Sequence, residues 1–401
     1  MTPTKLWNKD FIIVSLSNLF LYFIFYLLIS TISVFAINQF DASTSQAGFA
    51  AGAFVIGMLI ARVFAGRYVD SFGPKKMLYL GFIFTVITTF FYFAAGNLTM
   101  LYIVRILHGG SLGIAITATG AIVARIVPPE KHGEGIGYYA LSIPLGAAIG
   151  PLLGMFITQH APFDVNFILC AGLVIISFLF SLFLKVPNVA LTDEQLDEKE
   201  GFKLSNFFES KALPIAIIAL FVGTGYSSII SFLNSYAINL DLVDMASFFF
   251  IFYAAATVVS RPFVGRWFDL KGENVVMYPA FIAFAIGLAV LSQADIAGWF
   301  ILLAGIFVGL GYGSFISSGQ AIAVKNAQKH RAGLATSTFY IFLDGGAGVG
   351  PSVLGLFIPM LGFPGLYLTM AGLVIISGIL YYMLHGRKKS AVQHTGYQEA
   401  S

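Results

Sequence analysis

Charged side chains are scarce in this chain, and their scarcity narrows what the protein can be. Only 10% of its 401 residues are charged, whereas 58% are hydrophobic, and the mean hydropathy is +0.86. A soluble domain carries about 25% charged residues, so the composition excludes an ordinary soluble enzyme or binding module. The 41 Phe and 42 Gly residues instead favour helices that pack closely within a lipid bilayer.

Cysteine occurs once, at Cys170, which excludes a disulfide within the chain and a multi-cysteine metal site. It lies in an apolar run, where we expect a packed thiol. The sequence also lacks a phosphate-binding loop, so ATP is not the expected energy source. Because no His/Cys cluster or pair of carboxylates marks a catalytic centre, we expect no enzyme activity, no metal, no cofactor and no nucleic-acid partner.

Long apolar runs fill most of the chain. About 20 consecutive apolar residues span a bilayer as a helix, and the sequence predicts twelve such segments. In chain order, their predicted bounds are 11–36, 46–67, 76–95, 99–124, 134–159, 164–185, 213–237, 246–267, 275–293, 297–323, 332–359 and 364–385. The first segment is too long and too polar for a cleaved signal peptide, so we interpret it as a membrane helix.

Two stretches are polar. Residues 186–212, which include the run DEQLDEKE, predict a cytoplasmic linker between an N-terminal half, 1–185, and a C-terminal half, 213–385. Residues 386–401 begin with Gly-Arg-Lys-Lys and predict a disordered cytoplasmic tail.

Lysine and arginine are confined to one side of the predicted segments. Of the 22 such residues, all except Arg105 lie near the termini, in the linker or beside alternate loops. The opposite loops contain no Lys or Arg, but they contain Asp41, Asp164, Asp241, Asp244 and Asp295. Because positive charge marks the cytoplasmic side, we expect both termini in the cytoplasm.

A short stretch occurs twice, at an offset close to half the chain length. Residues 61–76 read ARVFAGRYVDSFGPKK, and residues 260–274 read SRPFVGRWFDLKGEN. The matched pairs are Arg62 with Arg261, Gly66 with Gly265, Arg67 with Arg266, Asp70 with Asp269, and Gly73 with Gly272. The repeat predicts two copies of one unit, a plan common among secondary transporters. We interpret each copy as a tight polar turn after an apolar segment, with Gly66 and Gly73 permitting the turn.

Three motifs resemble those of a known family. The repeated turn resembles the G-x-x-x-D-R-x-G-R-K signature of the major facilitator superfamily, with Ser71 and Pro74 in place of basic residues. Segment 4 contains Arg105-Ile-Leu-His108-Gly109, which is similar to the family's R-x-x-Q-G. Segment 5 is similar to the helix 5 motif of proton-coupled exporters in Gly137, Gly146, Gly150, Pro151 and Gly154, with Met155 in place of a final Gly.

The resemblance covers the whole chain and is strongest to the twelve-helix drug:proton antiporter branch. It implies an all-α membrane protein with twelve transmembrane helices in two pseudo-symmetric six-helix halves, the major facilitator fold. It also implies that helices 1, 4, 7 and 10 line a central cavity. The candidate substrate contacts on these helices are Asn18, Tyr22, Tyr26, Tyr226, Asn234, Tyr236, Tyr312 and Gln320.

The resemblance further implies that the repeated turn is a latch that joins the two halves while the outside is open. Asp70 can accept hydrogen bonds from Arg67, from Arg125 or from amides at a helix N-terminus. Pro151 removes a helical hydrogen bond, which suits a gate. The predicted gating residues are Gly66, Arg67, Asp70, Gly73, Arg125, Gly146, Gly150, Pro151, Gly265 and Asp269. The alternatives are turn chemistry with a topology signal and ordinary small-residue packing.

Charged groups within hydrocarbon cost at least about 2.5–3.5 kcal/mol, so each needs a reason. Asp344 in segment 11 is the only acid that the pattern places deep in a span, about 18 Å from the segment's start at 1.5 Å per residue. A carboxyl there can alternate between protonated and ionised forms, as proton coupling requires. Arg105 keeps its proton but can bind an anion or tune a carboxyl, and His108 is a second candidate titrating group. A structural Asp hydrogen-bonded to a neighbouring helix is the alternative for Asp344.

These features predict a proton-coupled antiporter that exports a small organic molecule, such as a drug-like compound, a secreted metabolite or a metallophore. Segment 1 lacks the acidic residue with which many exporters bind cationic drugs, so a neutral, zwitterionic or anionic substrate is expected. The alternative is a proton-coupled uptake symporter for a sugar or organic anion, which Arg105 and His108 could hold. A non-transporting receptor or lipid-binding protein would leave the repeated turns and Asp344 without a role. We expect a monomer in a bacterial plasma membrane whose partners are its substrate, protons and the bilayer.

Overall fold

The computed structural model describes residues 6–187 and 203–387, and regular structure in these ranges is helical. The tail predicted to be disordered lies almost wholly outside them. The helices of the first half are α1 (Lys9–Phe40), α2 (Thr44–Phe72), α3 (Pro74–Phe90), α4 (Leu98–Ile126), α5 (His132–Ala140 and Ser142–His160, with a turn at Leu141) and α6 (Asp164–Leu182). Those of the second half are α7 (Leu213–Leu240), α8 (Val243–Lys271), α9 (Asn274–Leu291), α10 (Trp299–Asn326), α11 (Ala332–Gly355) and α12 (Ile358–Tyr381).

Each of the twelve predicted segments coincides with one of these helices. Within the described ranges, eleven helices are long and apolar enough to cross a membrane. The helix α11 is not among them, because it combines Asp344 with several glycine and hydroxyl residues that lower its hydropathy. The long helix that falls short of this criterion within the described ranges is therefore the one that carries the predicted coupling acid.

The helix ends show the duplication directly. The first helix of each half ends in an aspartate with left-handed backbone geometry, Asp41 with φ 50° and Asp241 with φ 58°. The second helix of each half ends at a glycine with positive φ, Gly73 at 95° and Gly272 at 88°. Glycine adopts this region without a steric cost, so the predicted role of Gly73 in a tight turn is confirmed.

The repeated stretch itself corrects the sequence interpretation. Helices α2 and α8 continue past their predicted ends at 67 and 267, to Phe72 and Lys271. The stretch before Gly73 contains neither glycine nor proline after Gly66, so nothing ends the helix earlier. Gly66 and Asp70 therefore lie inside a helix and not in a turn, and the prediction of turn geometry for Gly66 is wrong.

The described residues form two compact units. The first comprises Met1–Pro129, Tyr138–Glu209 and Ala327–Thr338, and the second comprises Glu130–Gly137, Ser210–Asn326 and Phe339–Ser401. Each unit thus includes a short segment from the other half of the sequence. In the first unit α4 packs along α2 and α3, and in the second α10 packs along α8 and α9. The same pairings recur, as the duplication predicts.

Glycine lets α2 and α4 cross closely in the first unit. A Cβ added at Gly57 would lie 2.0 Å from the Ile106 carbonyl oxygen, and one added at Gly109 would lie 2.0 Å from the Phe54 carbonyl oxygen. Backbone atoms cannot move aside as a flexible side chain can. The two glycines therefore fix the distance between these helices, which is how small residues act in membrane proteins.

Gly57→Ala and Gly109→Ala should each lower the stability of the purified protein by about 1–3 kcal/mol, because the added methyl overpacks a backbone contact. Gly52→Ala is the matched control, since a Cβ at Gly52 meets nothing within 4 Å and Ala is the better helix former. The measurement is the midpoint of thermal unfolding in detergent. Equal midpoints for Gly57→Ala and Gly52→Ala would contradict the close crossing.

The charge distribution predicts that Asp41 and Asp241 face the outside. Both are exposed at helix ends, and the single native thiol, Cys170, is fully buried. Asp41→Cys and Asp241→Cys should therefore react with a membrane-impermeant thiol reagent on intact cells, while the parent protein stays unlabelled. Labelling only after permeabilisation would contradict the predicted orientation.

Candidate functional site

Asp70 lies near the end of α2, where its carboxylate contacts two other helices of the first unit. Its Oδ1 accepts a hydrogen bond from Arg125 Nη2 at 2.8 Å, and its Oδ2 accepts one from the Leu334 backbone N–H at 3.1 Å. Both side chains of the ion pair are almost fully buried. Leu334 belongs to the first turn of α11, whose amides have no helical partner and carry the positive end of the helix dipole. Of the three partners predicted for Asp70, Arg125 and a helix N-terminus are found.

Asp269 makes the corresponding contact at the end of α8, within the second unit. Its two carboxylate oxygens accept hydrogen bonds from the backbone N–H groups of Gly133 at 2.7 Å and Glu134 at 3.0 Å. These amides form the first turn of α5. Each repeated aspartate therefore binds the N-terminus of a helix from the other half of the sequence. We call the two sets of contacts the Asp70 latch and the Asp269 latch.

The repeated glycines give these helix ends room to meet. A Cβ at Gly66 would lie 2.3 Å from Ser337 Oγ, and a Cβ at Gly265 would lie 2.7 Å from Glu134 Cα. Ser337 also donates a hydrogen bond to the Arg62 carbonyl at 2.8 Å. Gly66 and Gly265 therefore allow two helices to approach closely beside each latch. For Gly66, this packing role replaces the turn role that the sequence suggested.

The end of the linker packs beside the Asp70 latch. The Arg67 guanidinium lies over the ring of Phe207, 4.7 Å from its centroid. Glu209 is buried and pairs with Arg331 through its carboxylate, while its backbone N–H donates to Thr338 Oγ1 at 2.9 Å. Residues 203–209 are therefore attached to the start of α11, while 188–202 of the predicted linker lie outside the described ranges.

The helix 5 glycines pack against α1. A Cβ at Gly146 would lie 3.0 Å from the Tyr22 carbonyl carbon, and a Cβ at Gly150 would lie 2.9 Å from the Leu27 backbone nitrogen. The helix continues through Pro151 to His160. This close packing is compatible with the gate and with its alternative, ordinary small-residue packing, so the gating role stays a prediction.

Arg105 lies in a buried network in the first unit. Its guanidinium donates to the Ala50 carbonyl at 2.9 Å and to the Tyr92 hydroxyl at 3.2 Å, and it lies over the Phe54 ring. The Tyr92 hydroxyl lies 3.1 Å from His108 Nδ1. The two predicted polar residues of α4 are thus linked to each other through Tyr92, a partner that the sequence interpretation missed.

Asp344 lies half-buried in α11, where that helix crosses α7 within the second unit. A Cβ at Gly346 would lie 2.1 Å from the Leu220 carbonyl oxygen, and a Cβ at Gly223 would lie 2.2 Å from the Leu343 carbonyl oxygen. Glycine on each helix therefore lets the two backbones approach closely at Leu343 and Gly346, which flank Asp344 in the sequence. Asp344 therefore lies at a tight helix crossing, and its coupling role stays a prediction.

The predicted cavity residues fall into three groups. Asn18 accepts from Thr119 Oγ1 at 3.0 Å, and Gln320 accepts from the Tyr340 hydroxyl at 3.0 Å, both fully buried. Tyr226 and Tyr312 stack with centroids 3.8 Å apart. Tyr22 and Tyr236 are buried, Tyr26 is half-buried and Asn234 is exposed. Their contact with substrate stays a prediction.

The comparison with known families settles where this architecture belongs. The family model described as Major Facilitator Superfamily matches residues 14–301 and 215–399. The chain belongs to the major facilitator superfamily. The family inferred from the repeated stretch is therefore confirmed, and the protein is a multi-pass membrane transporter and not an enzyme.

Curated relatives span nearly the whole chain. Multidrug resistance protein 2 of Bacillus subtilis (strain 168) is 26% identical over 394 residues, which cover 96% of this chain and 97% of that protein. The multidrug resistance protein MdtG of Klebsiella pneumoniae (strain 342) is 26% identical over 345 residues, which cover 83% of this chain and 81% of that protein. These names agree with the predicted likeness to the drug:proton antiporter branch.

Solved structures share the fold. The human organic anion transporter MFSD10 (TETRAN) superposes with a TM-score of 0.72 at 15% identity, covering 93% of this chain and 98% of that one. The transporter FucP, in the outward conformation, has a TM-score of 0.70 at 17% identity, covering 92% and 98%. The predicted fold class is therefore confirmed, with its twelve helices in two pseudo-symmetric six-helix halves.

Proposed function

We infer that this transporter is a proton-coupled antiporter that exports a small organic molecule by alternating access. The observation that carries the proposal is the pair of latches at Asp70 and Asp269. The names of the curated relatives, which are multidrug resistance proteins, support export over uptake.

The latches suit a movement that must be reversible. Each joins a single carboxylate to the first turn of a helix, a contact that stabilises by about 0.3–2 kcal/mol. The Asp70 latch adds a buried ion pair with Arg125. Contacts of this size can favour one state of a transporter and still be broken when substrate and protons bind. We therefore assign the latches to one of the two access states.

Asp344 is the proposed proton carrier. It lies in α11, where glycines bring that helix into close contact with α7. Arg105 and His108 do not carry the proton in this proposal. The Arg105 guanidinium is instead engaged in hydrogen bonds to backbone carbonyls and to the Tyr92 hydroxyl. The contacts of Arg105 and His108 hold α4 to α2 and to the turn after α3.

A proton-coupled uptake symporter for a sugar or organic anion is the second candidate. The observation that favours it is the buried positive charge of Arg105 beside His108, which would suit an anion if the Arg105 contacts opened. Its direction of transport is opposite to that of the exporter, so the two candidates make opposite predictions in inverted membranes.

Transport into everted membrane vesicles tests the proposal. The probes are fluorescent dyes of positive, neutral and negative charge, added outside vesicles whose interior is acidified by respiration. An exporter accumulates its dye inside, and the accumulation collapses when a protonophore removes the pH gradient. Vesicles that lose a preloaded dye on acidification, and accumulate none, would support the symporter and contradict the exporter.

A further inference from the structure

A recess lies between α9 and α12 on the surface of the second unit. Its volume is about 300 Å³, and its lining includes Phe281, Ile282, Gly378, Ile379, Tyr278 and Tyr382. Ile282 is 60% exposed and Ile379 is 55% exposed, so the recess opens outward from the helix bundle. On a membrane protein such an apolar surface faces the hydrocarbon of the bilayer.

Gly378 is one of the residues that line the recess. It lies on α12 opposite Phe281, and a Cβ there would make only ordinary contact with Phe281 Cβ at 3.4 Å. Because Gly378 lines the recess, a larger side chain at this position would occupy part of it. The equivalent change at Gly372 of the same helix would point into open space, since a Cβ there meets nothing within 4 Å.

A π-turn connects the recess to a positive charge. Residues Tyr382–Gly386 form this turn, and the Arg387 backbone N–H donates to the Tyr382 carbonyl. Residues five apart in a π-turn lie nearly one above the other. Arg387, which is exposed, therefore lies one turn beyond Tyr382 at the end of the recess, and Lys388 and Lys389 follow it in the sequence.

The first residues of α9 hold the π-turn in place. Asn274 donates to the Gly386 carbonyl at 3.1 Å and accepts from the Tyr381 hydroxyl at 2.8 Å. Glu273 pairs with His385, which is buried. A Cβ at Gly386 would lie 2.5 Å from the Tyr278 hydroxyl, so the backbone passes close to that hydroxyl. These contacts hold the turn, and with it Arg387, beside the recess.

We propose that this recess binds an anionic diacyl phospholipid, with one acyl chain between α9 and α12 and the phosphate headgroup at Arg387. Hydrocarbon surrounds the apolar recess in the bilayer, so an acyl chain is its natural occupant. Tyr278 lies near the start of α9 and Tyr382 directly follows the end of α12, and tyrosine favours the membrane–water interface. The positive charge of Arg387 at the same end complements an anionic headgroup, which gives the site its preference among lipids.

Native mass spectrometry of the purified full-length protein tests this proposal. Phosphatidylglycerol and phosphatidylcholine with identical acyl chains are added in turn, and the lipid molecules retained per protein are counted. Wild type should retain phosphatidylglycerol more strongly. Arg387→Gln should lower that preference about fivefold, the effect of about one unit charge at a lipid surface.

Filling the recess tests the acyl-chain contact separately. Gly378→Leu should abolish the tightly retained lipid, Gly372→Leu should retain it as wild type does, and Ile379→Trp provides a second way to fill the recess if Gly378→Leu does not fold. Equal retention of the two lipids by wild type, or undiminished retention by both filling variants, would overturn the proposal. Truncation after Lys389 controls for the tail: lipid retained only by the truncated protein would identify the tail as the occupant and contradict the lipid site.

Discussion

Asp70→Asn should reduce the transport rate at least tenfold while leaving the protein folded in the membrane. The substitution keeps an oxygen for the Leu334 amide but removes the negative charge beside Arg125, whose side chain is buried. Breaking a buried ion pair by neutralising one partner costs about 3–5 kcal/mol. A loss of that size from one access state changes the ratio of the two states by more than a hundredfold, so the transport cycle should stall.

Three variants separate this effect from general damage. Glu130→Gln neutralises an exposed acid close to Arg125 in sequence and should transport normally. Asp70→Asn combined with Arg125→Gln should recover part of the lost rate, since no unpaired charge is left buried. Asp269→Asn should be milder than Asp70→Asn, because Asp269 contacts two backbone amides. An Asp70→Asn protein that transports at the wild-type rate would reduce the Asp70 latch to a structural contact.

Asp344→Asn should abolish accumulation driven by a pH gradient while exchange of substrate across the membrane persists. The amide fixes the neutral form of the side chain, so the transporter can change state without carrying a proton. An electroneutral exchange of one proton for one substrate gives about tenfold accumulation per pH unit, and the variant should give none. The measurement compares accumulation with counterflow exchange in the same vesicles.

Asp344→Glu should keep partial coupling, because it retains a carboxyl displaced by one methylene. Asp295→Asn is the matched control, since Asp295 is exposed in the loop before α10 and should not affect coupling. Loss of exchange together with accumulation in Asp344→Asn would assign Asp344 to structure or substrate binding. Normal accumulation in that variant would move the coupling group elsewhere, with His108 as the next candidate.

The sequence predicted the fold well because membrane helices and duplication leave strong local signals. Gly73 and Gly272 ended their helices as expected, and both have positive φ. Gly66 was misassigned because a glycine that permits a turn and one that permits a close helix contact look the same in a sequence. Its neighbour Ser337 is far away in the chain, and no local pattern reveals it.

The site was predicted only in part for the same reason. The sequence offered three partners for Asp70, and the choice of Arg125 and Leu334 depends on how distant segments meet. A weaker repeat was present in the sequence. Gly133 precedes Glu134, whose amide binds Asp269, and Gly333 precedes Leu334, whose amide binds Asp70. This repeat could have identified both helix ends. The links from Arg105 to Tyr92 and from Glu209 to Arg331 had no such signal.

Substrate-induced proton movement by the purified protein tests proton-coupled export most directly. Proteoliposomes with an acidic lumen and an internal pH dye receive a compound that the vesicle assay has shown to be transported. The lumen should become more alkaline as substrate enters and protons leave, and liposomes containing Asp344→Asn should show no such change. A wild-type protein that takes up the compound without moving protons, or that acidifies the lumen, would contradict proton-coupled antiport.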